Sequence, residues 1–169
     1  MSAHSTSTLR TTVFACALSV GALALSAPPA LAAEEPLFAV LSGNNECNAV
    51  APPAGPVCRV GDRDAFGSAT ILISQAPGAA LLCFALTVDN LNVAANAAHI
   101  HSGNATFNGG VVVNLAPPVG PAASNPGASS GCVAIAAAVA SAIIANPTRF
   151  YINIHNAQFP GGALRGQLF

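Results

Sequence analysis

From residue 37 onward, apolar positions come in short runs cut by Gly, Pro and Asn. The runs are "LFAVL" (37–41), "GSATILIS" (67–74), "ALLCFALTV" (80–88), "AAHIHS" (97–102), "GVVVNL" (110–115), "RFYINIH" (149–155) and "ALRGQLF" (163–169). Short runs rich in Val, Ile, Leu and Phe between turn residues predict strands rather than helices. The fold class expected is all-β: an antiparallel, Greek-key-like sandwich or barrel. Within "QAPGA" (75–79), Pro77-Gly78 suits a type II hairpin turn. Asn108-Gly109 and Pro160-Gly161-Gly162 are further turn signals. The stretch 116–131, rich in Pro, Gly, Ser and Asn, reads as a long loop. One segment departs from the β pattern. The Ala-rich run 134–147 predicts one short helix ending near Asn146, because Ala favours helix and Pro147 cannot continue one.

The first 32 residues have a different pattern. Arg10 is followed by an apolar run, then by Ala30-Leu31-Ala32 and the acids Glu34 and Glu35. The run is short for a membrane span and suits a secretory signal peptide cleaved after Ala32 or Ala33. Cys16 lies inside the run, not at the mature start where lipidation would need it. The expected organisation is a signal peptide over 1–32 and a single domain over 33–169, secreted, periplasmic or extracellular. No segment of the mature part is long and apolar enough to read as a transmembrane helix.

Charge excludes several partners. The chain has no lysine, five arginines and six carboxylates. A clustered basic face for nucleic acid, or a polybasic membrane patch, cannot be assembled from so few cations. The partners expected are an extracellular protein or a polysaccharide. Without lysine there is also no phosphate loop of the G-x-x-x-x-G-K type, and no G-x-S-x-G elbow is present. Asp62 and Asp64 in "DRD" are too few ligands for a calcium site.

Four cysteines remain after cleavage: Cys47, Cys58, Cys83 and Cys132. An even number in an exported chain predicts two disulfides, with three connectivities open. Cys47–Cys58, closing a Pro-rich loop, and Cys83–Cys132, stapling a central strand to a later segment, are the favoured pairs. The spacings contain no C-x2-C, which speaks against a four-cysteine zinc site.

The candidate chemistry lies in the histidines. His99 and His101 flank Ile100, so on a strand they share one face. In "RFYINIHN", Tyr151, Asn153 and His155 share a face. If the two strands are neighbours, His99, His101 and His155 converge as a ligand set for copper or zinc. Asn104, Asn153 or Asn156 would then fix the tautomers. Alternatively, the imidazoles tie loops to strands. Arg165, between Leu164 and Gly166, is expected to pair with a carboxylate or with backbone carbonyls. Gly166 is expected where the backbone approaches closely or bulges.

"LSGNNE" (41–46), "AAHIHSG" (97–103), Gly110 with its apolar run, "FYINIHN" (150–156) and "FPGGALRGQL" (159–168) together resemble the CHRD domain, the chordin-type module. The resemblance spans about Leu37 to Phe169. It departs at "ECNAVAPPAGPVC", where the family commonly has an acid followed by Val-Pro-Pro. It implies an extracellular β module without a settled activity, so a non-enzymatic binding or structural role is expected. The H-x-H strand is also similar to that of copper,zinc superoxide dismutase. That family needs six histidines and an aspartate, and three mature histidines exclude a two-metal dismutase. A mononuclear copper or zinc site, redox-related or activating a water for hydrolysis, is the alternative.

Overall fold

The computed structural model describes residues 36–48, 57–120 and 126–169. The expected signal peptide lies outside them, as does most of the Pro-rich loop between Cys47 and Cys58. Ten strands and one helix follow in order: β1 (Leu37–Ser42), β2 (Cys47–Asn48), β3 (Val57–Cys58), β4 (Phe66–Ala76), β5 (Ala79–Asp89), β6 (Ala95–Ser102), β7 (Val111–Leu115), β8 (Gly127–Ile135), α1 (Ala137–Ala145), β9 (Phe150–Asn156) and β10 (Leu164–Gln167). Eight strands form one antiparallel sheet in the order β7-β6-β9-β10-β1-β4-β5-β8. The pair Val119↔Ala128 and the hydrogen bond from Ser129 to the Ala116 carbonyl bring the two edges together. The sheet is thus a nearly closed barrel, which leaves little unpaired edge. The β9–β10 hairpin inserts between β6 and β1, giving the Greek-key-like crossover.

Alternation along each strand fills the interior. Ala39 and Leu41, Ile71 and Ile73, Leu82, Phe84 and Leu86, Ala98 and Ile100, and Phe150, Ile152 and Ile154 all belong to one buried apolar cluster. Pro77-Gly78 makes the tight turn between Ala76 and Ala79, with Gly78 at φ 78° as the type II geometry requires. The helix is short and ends where expected. Its Ala140 and Ile143 are buried against the barrel, and Pro147 opens a single 3-10 turn after it.

Two expectations need correction. The stretch 116–131 is not a structureless loop. Its last five residues, 127–131, belong to β8, which pairs with β5 over nine positions from Val88↔Gly127 to Ala80↔Ile135. Gly and Ser weaken a strand's intrinsic preference, but here the neighbouring strand supplies the pairing. Asn108-Gly109 is not the turn either. Phe107 N–H closes onto the Asn104 carbonyl, so the chain reverses at Ala105-Thr106.

Both favoured disulfides form, Cys47–Cys58 and Cys83–Cys132. Each joins residues directly opposite on antiparallel strands.

Candidate metal centre

The strand order makes β6 and β9 neighbours. Their register sets His99 opposite Asn153, His101 opposite Tyr151 and Ala97 opposite His155. Ile100 and Ile152 point into the barrel, so these polar residues stand on its outer wall. Next to His101 the β6–β7 pairing slips by one residue between Ile100 and His101. Such bulges re-aim side chains and are common beside functional sites.

The three imidazoles converge. Ring centroids are 5.0 Å apart for His99 and His155, 5.5 Å for His99 and His101, and 6.0 Å for His101 and His155. One nitrogen from each ring lies within 4.8 Å of the others. His99 Nδ1, His101 Nε2 and His155 Nε2 are buried and have no hydrogen-bond partner among the described residues. A buried polar atom without a partner is costly, and native structures rarely keep three together unless something binds there.

The opposite nitrogens of two rings are tied down. His101 Nδ1 lies 3.0 Å from the Gly109 carbonyl and His155 Nδ1 lies 3.1 Å from the Pro160 carbonyl. A carbonyl can only accept, so each Nδ1 carries the proton and each Nε2 keeps its lone pair. Metal-ligating histidines are oriented this way. The expected asparagines do not do this work. Asn153 donates to Glu46 (2.5 Å) and to the Leu164 carbonyl (2.8 Å). Asn156 holds the Val93 carbonyl and the Phe159 N–H. Loop backbone fills the role because both loops fold back over the strands.

All three histidines have pKa values below the ordinary 6.5. Burial is the main cause in each. For His99, charge on His155 and His101 adds to it. For His101, the Gly109 hydrogen bond opposes the shift and the Arg165 charge reinforces it. For His155, the Pro160 hydrogen bond opposes the shift and charge on His101 reinforces it. Each shift favours the neutral ring, the form that binds metal.

Beside the triad lies a second polar layer. Tyr151 is 1 % exposed and stacks on His101 with centroids 5.0 Å apart and planes 10° from parallel. The Arg165 guanidinium sits 3.5 Å from the Tyr151 ring centre. Arg165 donates to Asn108 Oδ1 (2.6 Å) and to the carbonyls of Asn104 (2.5 Å) and Phe107 (3.1 Å). Its partners are thus backbone carbonyls and an amide; among the described residues no carboxylate lies within ion-pair distance. These bonds hold the 103–110 loop, whose Gly109 carbonyl orients His101. Gly166 is a site of close backbone approach: a Cβ there would come within 2.5 Å of the Val40 carbonyl oxygen.

Sequence reasoning missed Glu46. It is 2 % exposed, accepts from Asn153 and from Cys47 N–H (3.2 Å), and its pKa is raised, chiefly by burial. Nothing in an Asn-rich stretch signals that its acid will be covered. Asp62 is likewise buried, and it accepts from Asn92 N–H and its side-chain amide, bracing the loop after β5. Two clefts, of about 560 and 280 Å³, flank the 103–107 segment, and no triad histidine lines either. Among the described residues no helix is long and apolar enough to cross a membrane.

No curated protein and no solved structure is significantly similar to the chain. The family model of the CHRD domain matches residues 37–168. That range takes in the whole barrel, the H-x-H strand and the terminal F-P-G-G-A-L-R-G-Q-L segment, so this chain belongs to the CHRD domain family.

Proposed function

We propose that this is an exported CHRD module that acts by binding, and that it holds one transition-metal ion, copper or zinc, through His99, His101 and His155. One observation carries the reading: three buried ring nitrogens, one per histidine and none with a hydrogen-bond partner among the described residues, on rings whose ligand atoms cluster within 4.8 Å. Two of those rings have their protons parked on backbone carbonyls, which leaves the converging nitrogens as lone-pair donors. Neutral imidazole is a ligand for both metals. Export is supported by the leader-like pattern of residues 1–32 and by two disulfides, which persist in oxidising compartments.

Calorimetric titration of the disulfide-bonded protein with copper and zinc tests this. Submicromolar binding of one ion per chain, lost in both His99→Ala and His155→Ala, is the expected result. Absence of binding in the unaltered protein would sink the metal reading and leave the imidazoles as structural groups.

A further inference from the structure

The charges around the triad point to which ion it takes. No carboxylate or thiolate belongs to the ligand cluster among the described residues; three neutral imidazoles make it up. Behind it stands a fixed cation. Strand β9 lies between β6 and β10, so the Tyr151 ring is flanked by His101 from one neighbour and by Arg165 from the other. The two ring distances put the guanidinium no more than about 8.5 Å from the His101 imidazole, across the ring of a residue that is 1 % exposed. Arg165 is itself 1 % exposed, so its field is poorly screened. The acid in this layer, Glu46, is engaged by Asn153 and by Cys47 N–H, and burial disfavours its charge. It offsets Arg165 only in part.

A positive potential at a site without anionic ligands penalises an ion in proportion to its charge. With an effective dielectric of about 20 at this separation, each added unit of charge costs roughly thirtyfold in affinity. Coordination number acts in the same direction. Zinc in a three-histidine site takes a fourth ligand to complete a tetrahedron. The three converging nitrogens are buried, and neither cleft reaches them. Copper(I) is stable with three neutral nitrogen ligands.

We propose that the triad selects monovalent copper(I) over dications such as zinc(II), and that Arg165 sets this preference from behind Tyr151. This rests on the metal reading of His99, His101 and His155. Arg165 touches no ion; it is a specificity-determining residue that acts through space.

The test is anaerobic chelator competition on the disulfide-bonded protein, with copper(I) from a bicinchoninate buffer and zinc(II) from a chromophoric chelator. Copper(I) is expected to bind at least about thirtyfold more tightly than zinc(II). Arg165→Lys should keep the gap and Arg165→Gln should narrow it by roughly thirtyfold. Asn108→Asp, which sets a carboxylate against the guanidinium at a position already in contact with it, should narrow the gap without removing Arg165. The Asn108→Asp result decides the role of Arg165 if Arg165→Gln does not fold. Zinc bound as tightly as copper(I) by the unaltered protein would overturn the selectivity while sparing the metal site. A gap unchanged in the folded variants would overturn the role of Arg165. Failure to bind either ion would overturn both readings.

Discussion

The two sides of strand β9 are built on opposite principles. Phe150, Ile152 and Ile154 face the barrel interior and meet other apolar side chains. Tyr151, Asn153 and His155 face outward, yet Tyr151 and Asn153 are as buried as the isoleucines. The inner side is held by area removed from water, which is indifferent to direction. The outer side is held by hydrogen bonds, ring stacking and a cation, each with a required geometry. The outer wall elsewhere is not covered in this way. On β1 and β4, outward Phe38, Val40 and Leu72 remain 43, 65 and 43 % exposed. Over β6, β9 and β10 loops close onto the wall, and there the sequence supplies groups that a loop's backbone can satisfy.

This contrast can be broken first at its strongest points. Ile152→Ala should cost about 2–5 kcal/mol by leaving a cavity in the barrel. Arg165→Ala should cost about 2–4 kcal/mol for a different reason: two carbonyls and an amide lose their donor in a partly buried setting. Urea unfolding measures both. If the outer layer is merely surface, Arg165→Ala will fall below about 1 kcal/mol and the comparison fails.

The disulfides come next. Removing Cys83–Cys132, separated by 49 residues, should destabilise by about 4 kcal/mol, and Cys47–Cys58, separated by 11, by about 3 kcal/mol. Thermal unfolding of the Cys→Ala pairs would show whether the longer closure matters more.

His155→Ala separates binding from stability. In the metal-free protein it should change stability by no more than about 1 kcal/mol, because a buried unsatisfied nitrogen leaves with the ring. It should also abolish the rise in Tm that a saturating ion gives the unaltered protein. A large loss in the metal-free state would mark the ring as part of the framework instead.

The smallest effect is that of pH. The three histidines bind protons less readily when folded than when unfolded. Their contribution to stability is therefore complete above the ordinary value of 6.5 and is lost as pH falls from there toward the lowered folded values. Glu46, with its pKa raised, has the opposite sign: folding is favoured as pH falls through its folded value toward the ordinary 4.5. Metal-free stability should thus decline from neutrality into mild acid, and a Glu46→Gln variant should decline more steeply. Denaturant midpoints measured across this range give the sign directly.

Much of the barrel can be read from the chain, because period-two alternation survives in β1, β4, β5, β6 and β9. The triad was legible for the same reason: i and i+2 share a face, and His155 lies on a strand with the same polarity. β8 was not legible. Its Gly-Ala-Ser-Ser-Gly start lacks the branched side chains that mark a strand, and only pairing with β5 makes it one. Glu46 and the tethers on Gly109 and Pro160 were hidden too. Burial of an acid and the aim of a carbonyl depend on how distant loops lie over a wall, which no local pattern records.

The tethers themselves bear on how such a site can change over generations. Both imidazole protons rest on main-chain oxygens, which every residue possesses. The side chains between positions 103 and 110 can therefore drift while the rings keep their tautomers, as long as the path of the loop is kept. Gly103, Gly109 and Asn108 are the exceptions: a Cβ at Gly103 would strike the Phe107 carbonyl, one at Gly109 would strike the Ser102 carbonyl, and Asn108 accepts from Arg165. A lineage could thus rewrite the outward appearance of this loop, and with it whatever the surface meets, without disturbing the lone pairs below.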